Sequence, residues 1–219
     1  MSLGVALLGV RGISTVPALI PPQEEPIDGQ TGVWLKQGAS VIGSGMKMTG
    51  AVVSSGQSQY IYSRGITQSC TVVVSGFQYV NFGGKAIDTT VYWRQYITSG
   101  GYAEGTVLGS AAGAVPRVFM STGAAASRVY IQTSVAALQI PAGAYVNEIY
   151  MSAGQLWVTG SADNIVMQAG TATVYPSGVA SGIALSGGKL IVSSGGTALA
   201  VTSTGGTVNV LSGGSITYA

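Results

Sequence analysis

The side chains that usually perform enzyme chemistry are scarce in this sequence of 219 residues. It contains 7 Asp and Glu residues, a single cysteine, Cys70, and no His. Without His there is no Ser-His-Asp or Cys-His nucleophile, and one Cys builds neither a structural zinc site nor a disulfide framework. Paired carboxylates are therefore the catalytic arrangement that remains to be considered.

Two carboxylates at the right separation can hydrolyse a glycosidic bond. The candidates in this chain are Asp88, Glu104, Glu148 and Asp163. Asp88 and Glu104 are separated by nearly one length of the repeat described below, so we expect them to lie close together. Isolated surface charges more often serve solvation, and we predict no catalytic activity. The Gly-Gly-x-Gly-x-Asp repeat of calcium-binding rolls is missing, so we predict neither a metal site nor a cofactor.

Aromatic side chains recur at a spacing that predicts a strip on the surface. Tyr60, Tyr79 and Tyr96 each follow a Gln and precede Ile or Val, and the two intervals between them are nearly equal. Alternate residues of a strand face opposite sides, so these tyrosines point outward if the following residue points inward. We expect them to stack on neighbouring strands, flanked by Trp93 and Arg94, and to hold sugar rings or dock a protein. The alternative is a ladder that only stabilises the sheet.

The residues that precede these tyrosines alternate in the opposite sense. Gln59, Gln78 and Gln95 therefore predict a ladder of amides inside the protein. Cys70 precedes an apolar string from Thr71 to Val74 and is predicted to be a small buried hydrophobe. We interpret both features as structural.

A repeat with a period of about 18 must position all of these side chains. In the last third of the chain, Gly-containing turns recur at steps of 10, 8, 10 and 8. A shift of 18 superposes Ala172, Leu190 and Val208. Within each segment the apolar residues are two apart, which is typical of a strand with one buried face. The repeat is detectable from about residue 32, and its signal is weak between residues 107 and 153.

Short strands and Gly turns, repeated without helix formers, predict an all-β fold: a single parallel β-helix, or β-solenoid. Residues 32–219 suffice for about ten coils with a length of 17–20 each. The alternation of 8 and 10 does not fit the six-residue period of left-handed hexapeptide helices, which favours a right-handed coil. Residues 1–31 lack the repeat and are predicted to be an N-terminal cap and linker. Glycine is expected at corners where a tight turn needs positive φ.

Composition and charge exclude further classes. The chain is 47% hydrophobic and 7% charged, which argues against disorder. A net charge of +2 and only 9 basic residues are too few for the positively charged surface that binds nucleic acid, so we expect no nucleic-acid partner. The apolar stretch from Met1 to Ile20 is interrupted by Arg11 and Pro17, so we expect no membrane insertion of this segment.

Several of the turns resemble a known repeat. The segments Val192–Ala198 (VSSGGTA), Val210–Gly214 (VLSGG) and Tyr96–Ala103 (YITSGGYA) are similar to the Ser-Gly-Gly repeats of diffuse-adherence-type autotransporter adhesins of Gram-negative bacteria. The resemblance spans about residues 50–107 and 160–219. It implies a right-handed parallel β-helix that serves as a cell-surface passenger domain in adhesion or autoaggregation. It also implies O-glycosylation with heptose at the matching serines, which are Ser54, Ser55, Ser99, Ser193, Ser194 and Ser212.

We therefore predict a non-catalytic adhesive or structural passenger that is extracellular, at the bacterial cell surface. Its expected partners are glycans or proteins of host-cell or bacterial surfaces, together with other copies of itself through self-association. One alternative is a phage or polysaccharide-binding β-helical fibre, usually trimeric, with an apolar exposed face along the rod. Another is a β-helical carbohydrate-active enzyme, which turnover on a panel of glycans would reveal.

Overall fold

A computed structural model describes residues 31–219, and it shows a coil of parallel strands. The described part of the chain contains strands β1–β25 and no helix. The strands of each coil pair with those of the preceding coil, which confirms the predicted all-β solenoid of about ten turns. Its right-handedness stays a prediction. The predicted cap and linker, residues 1–31, lies outside the described residues except for Thr31.

One side of the coil is an 11-stranded sheet, here called sheet I. Apart from the first two members, which form a hairpin, its strands are parallel to their neighbours on the path from β5 to β24. In spatial order the strands are β2 (Ser40–Gly45), β1 (Val33–Gln37), β5 (Gln57–Ile61), β8 (Phe77–Val80), β11 (Arg94–Ile97), β14 (Arg117–Met120), β16 (Ala137–Ile140), β18 (Gln155–Val158), β20 (Thr171–Val174), β22 (Lys189–Val192) and β24 (Thr207–Val210).

The rest of the coil is a 14-stranded sheet, sheet II, which is bent into two sides. The early coils contribute two short strands each: β3 (Lys47–Thr49), β4 (Val52–Val53), β6 (Ile66–Gln68), β7 (Thr71–Val72), β9 (Lys85–Ile87), β10 (Thr90–Val91), β12 (Tyr102–Glu104) and β13 (Val107–Leu108). The later coils contribute one strand each: β15 (Ala125–Ile131), β17 (Tyr145–Met151), β19 (Ser161–Met167), β21 (Val179–Leu185), β23 (Thr197–Ser203) and β25 (Ser215–Tyr218).

A residue with positive φ bends sheet II in each coil from the one that holds β3 and β4 to the one that holds β23. Arg128 and Glu148, for example, have φ values of 54° and 60° in the middle of β15 and β17. The bends stack through backbone hydrogen bonds, as where the Asp88 N–H donates to the Glu104 carbonyl at 2.7 Å. Many of these residues carry side chains, so the bend has no glycine signature in the sequence. The non-glycine members are Ser69, Asp88, Arg128, Glu148, Asn164 and Ala200.

The interior of the coil is a continuous aliphatic core. Ala172 lies in register with Leu190, and Leu190 with Val208, as the repeat predicts. Ala172 and Leu190 are buried, and one cluster of buried side chains extends from Val33 to Val201. Each coil covers the apolar side chains of its neighbour, so the core grows along the axis and not in all directions.

The corner that follows sheet I uses glycine for two different reasons. Gly100 has a φ of +70°, as expected for a tight turn. Gly101 is needed for another reason, since a Cβ there would lie 2.2 Å from the carbonyl oxygen of Val80 in the preceding coil. The second glycine of the pair therefore allows a close approach between coils, a requirement that is separate from positive φ.

The parallel coil begins later than the repeat predicts. β1 and β2 form an antiparallel hairpin, and β1 pairs antiparallel with β5, with Trp34 opposite Tyr60. Gly38 lies in the hairpin turn, so its spacing from Gly56 does not mark a coil corner. The hairpin covers the edge of sheet I at β5, so that β2 becomes the edge strand. A register shift between Leu35 and Lys36 makes the pairing of β1 with β2 irregular. Such irregularity discourages strand addition from another chain.

The segment with the weak repeat signal, residues 107–153, continues the coil. β14 pairs with β11 on one side and with β16 on the other. A loop of residues 109–116 precedes β14, where the preceding coil has only Tyr92 and Trp93 between β10 and β11. The register pair Gln95 and Val118 is consequently farther apart in the sequence than the pair Gln78 and Gln95. This insertion shifts the repeat and accounts for its weak signal.

Candidate functional site

The predicted tyrosine strip lies on the outer face of sheet I. Tyr60, Tyr79 and Tyr96 occupy one register position of β5, β8 and β11. The residue after each of them is buried in the core. The ring centroids are 4.9 Å apart for Tyr60 and Tyr79 and 5.0 Å apart for Tyr79 and Tyr96, with near-parallel planes. The structure therefore brings these three side chains together as the spacing predicts.

The aromatic ladder is longer than the spacing of the Gln-Tyr pairs in the sequence indicates. Phe119 stacks on Tyr96 with a centroid distance of 5.2 Å, and Trp157 follows in the same register two strands further on. The segments Arg94–Ile97 and Arg117–Met120 share one order of residue types: a cation, an inward residue, an aromatic ring and an apolar residue. This shared order of residue types is the sequence signal by which Phe119 could be assigned to the ladder. The signal is hard to detect because Tyr96 and Phe119 are farther apart in the sequence than the other neighbours of the ladder.

The stacking determines what the rings present to a ligand. Tyr79 has a ring on each side at about 5 Å, so its neighbours cover both of its faces. A sugar stacks on an aromatic face, and the inner rings of this ladder present edges instead. The stacking itself stabilises the sheet by roughly 0.2–1 kcal/mol for each pair. The ladder therefore has a structural role, whatever it binds.

Trp93 and Arg94 lie beside the ladder, as predicted. Arg94 is in β11, and its guanidinium carbon lies 4.2 Å from the centroid of the Trp93 ring. Its Nη1 donates to the carbonyl oxygens of Val115 and, at 3.2 Å, of Trp93. Partial burial lowers the pKa of the guanidinium from its ordinary value. Arg94 thus fastens the loop of residues 109–116 to sheet I.

The outer face of sheet I also concentrates positive charge. Lys36 Nζ lies 5.1 Å from the centroid of the Tyr60 ring, and the Arg117 guanidinium carbon lies 5.8 Å from that of Trp157. Arg94 and Lys189 share the register column of Arg117. We call this surface, with its aromatic ladder and these cations, the sheet I face. The acidic residues among residues 31–219 all lie in or beside strands of sheet II: Asp88, Glu104, Glu148 and Asp163.

In the first pair of candidate catalytic carboxylates, Glu104 is engaged by two cations. Asp88 and Glu104 lie on neighbouring coils, as their spacing predicts. The Glu104 carboxylate, however, lies 3.1 Å from Lys85 Nζ and 2.6 Å from Arg128 Nη2. The hydrogen bond from Lys85, followed by that from Arg128, lowers the pKa of Glu104. The general acid of a glycosidase needs a raised pKa to keep its proton, whereas the lowered pKa of Glu104 favours the ionised carboxylate.

The other two carboxylates also have polar partners. Asp163 accepts a hydrogen bond from the Ser181 hydroxyl, and Glu148 accepts one from the Asn147 amide at 3.5 Å. Within residues 31–219, no three His, Cys, Asp or Glu side chains come together as a group that could hold a metal ion. The same residues include no helix long and apolar enough to cross a membrane.

The glutamine ladder lies inside sheet I, as predicted, and all three amides are fully buried. Gln78 Nε2 donates to Gln59 Oε1 at 2.8 Å, and Gln95 Nε2 donates to Gln78 Oε1 at 2.7 Å. Gln59 Oε1 also accepts from the Cys70 thiol at 3.4 Å, and Gln95 Oε1 accepts from the Thr106 hydroxyl at 3.3 Å. Every amide oxygen of the ladder therefore has a donor.

Cys70 is a buried thiol, as the sequence predicts. It packs with Val53 and Val72 in a small apolar cluster. Burial raises the pKa of the thiol to about 12. The nucleophile in cysteine chemistry is the thiolate, so this side chain is inert.

The serines that the resemblance marks for glycosylation lie at two different corners. Ser99, Ser194 and Ser212 belong to the corner after sheet I, where the backbone stacks from coil to coil: the Gly100 N–H donates to Gly123 and the Gly195 N–H to Gly213. Ser193 precedes that corner and is half-buried, whereas the others are exposed. The remaining two form the turn between β4 and β5: Ser54 and Ser55.

Comparison with known proteins shows the fold. No family model matches the chain, and no curated protein matches it. Among solved structures, the chain is similar to the crystal structure of the TibC-catalysed, hyper-glycosylated fragment 55–350 of TibA. The two share 24% sequence identity with a TM-score of 0.53, over 79% of this chain and 82% of that one.

Proposed function

We propose that this chain is a non-catalytic passenger domain of a cell-surface adhesin and that the sheet I face is its contact surface. The observation that carries the proposal is the aromatic ladder, which is continuous from Tyr60 to Phe119, together with its cations, on a side of the coil that has no acid among residues 31–219. A long, regular and rigid face of this kind suits contact with an extended surface better than it suits a small substrate.

The fold and the turn sequences support the same assignment. TibA, whose fragment has a similar fold, is an autotransporter adhesin. The Ser-Gly-Gly turns of the present chain resemble those of such adhesins, and they lie at exposed corners. On this proposal the domain is extracellular and held at the bacterial surface.

The charge of the sheet I face indicates its partners. Host-cell and bacterial surfaces carry glycans and proteins with acidic groups, and a positive face attracts them at low ionic strength. The three acids of sheet II that form no ion pair within residues 31–219, Asp88, Glu148 and Asp163, also allow two copies of the chain to meet with opposite charges facing, which would support self-association. Tyr60, Tyr79, Tyr96, Trp93 and Arg94 are the centre of the proposed contact surface.

A matched pair of variants tests this contact surface. Beads coated with the protein are allowed to bind epithelial or bacterial cells, and bound beads are counted. Arg117→Gln with Lys189→Gln removes two cations of the sheet I face, whereas Lys47→Gln with Arg64→Gln removes two elsewhere. We expect the first variant to lose most binding at low salt and the second to bind as the wild type does. Equal losses would reject the sheet I face, and trimers in sedimentation would favour a fibre.

The glycosylation proposal has its own test. We propose that the exposed corner serines are the acceptors, because a heptose attached there extends into solvent without disturbing the coil. The chain is co-expressed with TibC, the enzyme that glycosylates TibA, and its peptides are analysed by mass spectrometry. Added heptose is expected on Ser99, Ser194 and Ser212 and on the turn at Ser54 and Ser55. An unmodified chain, or heptose on half-buried Ser193 alone, would reject the assignment.

A further inference from the structure

A second and shorter aromatic stack lies on sheet II. Tyr130 of β15 and Tyr150 of β17 are in register, with ring centroids 5.1 Å apart and planes within 13°. The next residues in this column are Val166 of β19 and Ala184 of β21. The column therefore passes from two rings to two small aliphatic side chains.

This change in size leaves one face of Tyr150 without a neighbouring ring. Tyr150 is 39% exposed, and a cleft of about 260 Å³ opens beside it over Val166. On the sheet I face, by contrast, Tyr79 has a ring on each side. Tyr150 thus offers the aromatic face that the inner rings of the longer ladder do not.

A row of polar side chains forms the other wall of the cleft. Gln132, Ser152 and Gln168 each follow the last residue of β15, β17 and β19 and so lie side by side on successive coils. All three residues are exposed and line the cleft, and the Ser152 hydroxyl donates to the Ile131 carbonyl oxygen at 3.5 Å. Each amide combines two N–H donors with a carbonyl acceptor, which suits paired hydroxyl groups.

We propose that this cleft binds one pyranose ring of a neutral glycan. The C–H face of the sugar lies against the free face of Tyr150, over Val166, where another aromatic ring would otherwise continue the stack. Its hydroxyls then meet the amides of Gln132 and Gln168. The volume is below the roughly 300–1,000 Å³ of sites for drug-sized ligands, which suits a single sugar ring.

The lining of the cleft also indicates which ligands it does not take. It is formed by tyrosine, glutamine, methionine, serine and valine side chains and includes no charged residue. A nucleotide stacks on tyrosine as well, but its phosphates require cations. An acidic sugar would likewise lack a partner for its carboxylate. The neutral ligand distinguishes this cleft from the sheet I face, whose cations attract anionic surfaces.

This inference rests on the proposed function, because the glycan would belong to the surface to which the domain adheres. It nevertheless has its own test. The purified protein is mixed with the methyl pyranosides of glucose, galactose and mannose at millimolar concentration. Binding is measured by saturation-transfer difference NMR, independently of any cell. We expect transfer to the ring protons of at least one of these sugars and none to adenosine monophosphate.

Three variants locate the binding. Val166→Tyr adds a third ring, fills the cleft and is expected to abolish transfer while the melting temperature is kept or raised. Tyr150→Ala is expected to weaken binding at least tenfold. Tyr145→Ala, at an exposed tyrosine of the same strand, is the control and is expected to leave binding unchanged.

The outcomes separate this inference from the proposed function. No transfer to any of the pyranosides, undiminished transfer in Val166→Tyr, or transfer to the nucleotide instead would overturn the neutral-glycan site, even if cell adhesion persists. Conversely, sugar binding that depends on Tyr150 would survive a failure of the adhesion assay with the sheet I variants.

Discussion

The buried glutamine ladder leads to a prediction in which one substitution is worse than three. Gln78 lies in the middle, where its amide nitrogen donates to Gln59 and its amide oxygen accepts from Gln95. Leucine has nearly the same volume, so Gln78→Leu leaves the packing almost unchanged. What it removes is one hydrogen-bond partner from each neighbouring amide.

The magnitude follows from what each neighbour loses: Gln95 Nε2 loses its acceptor, whereas Gln59 Oε1 keeps the Cys70 thiol as a weaker donor. Gln59 and Gln95 are fully buried, so water does not replace the lost partner. A buried polar group without a partner costs about 1–3 kcal/mol and the loss of one neutral hydrogen bond about 0.5–1.5 kcal/mol, so Gln78→Leu is expected to lower the free energy of unfolding by about 1.5–4.5 kcal/mol. Replacing all three glutamines by leucine removes the interdependent amides together and leaves two groups without their acceptor, the Cys70 thiol, which is a weak donor, and the buried Thr106 hydroxyl. The triple variant is expected to lie within about 3 kcal/mol of the wild type.

Equilibrium unfolding in urea, followed by far-UV circular dichroism, measures these differences. The wild type, the Gln78→Leu variant, the Gln59→Leu with Gln95→Leu variant and the triple variant form a double-mutant cycle. We expect a coupling energy of several kcal/mol, with the triple variant more stable than both the Gln78→Leu variant and the Gln59→Leu with Gln95→Leu variant. If the destabilisations simply add, the amides do not depend on one another and the reasoning is refuted.

Three further expectations follow from single side chains. Tyr79→Ser removes two ring pairs and should lower the free energy of unfolding by about 0.4–2 kcal/mol in a thermal melt, while an unchanged melt would show that the stack contributes nothing. Cys70 should resist a thiol reagent at pH 8 until the protein unfolds, because burial raises its pKa to about 12, and rapid labelling of the folded protein would contradict this. Glu104 has a pKa below its ordinary 4.5, so its stabilising effect is present above that pH and lost as the pH falls through the lowered value. Glu104→Gln should therefore flatten the acid loss of stability between pH 7 and pH 3 relative to the wild type, and parallel curves would rule out the effect.

The tyrosine and glutamine ladders were predictable because they depend on only two properties. These are the alternation of side chains between the two faces of a strand and the number of residues in a coil. Gln78 and Tyr79 are adjacent, so one must face the core if the other faces solvent. The spacing of the repeat then places each on its counterpart in the next coil. Neither step requires knowledge of how the coil closes.

Features that depend on closure could not be predicted in this way. The hairpin of β1 and β2 carries a glycine turn at a spacing that mimics the repeat, but its strands run antiparallel. The bend in sheet II is made by residues such as Arg128 and Glu148, whose types give no hint of positive φ. The second stack, at Tyr130 and Tyr150, follows the inserted loop, in the part of the chain where the repeat signal is weak.

The equal registers of β20, β22 and β24 also bear on how such a chain changes over evolutionary time. Residues one coil apart make equivalent contacts here, so removal of residues 172–189 would place Leu190 where Ala172 now lies against Leu156. A recombination event that loses or duplicates one such segment produces no mismatched junction and changes the reach of the molecule by about 4.8 Å. Length is therefore a trait that selection can adjust in small increments, without redesigning either end.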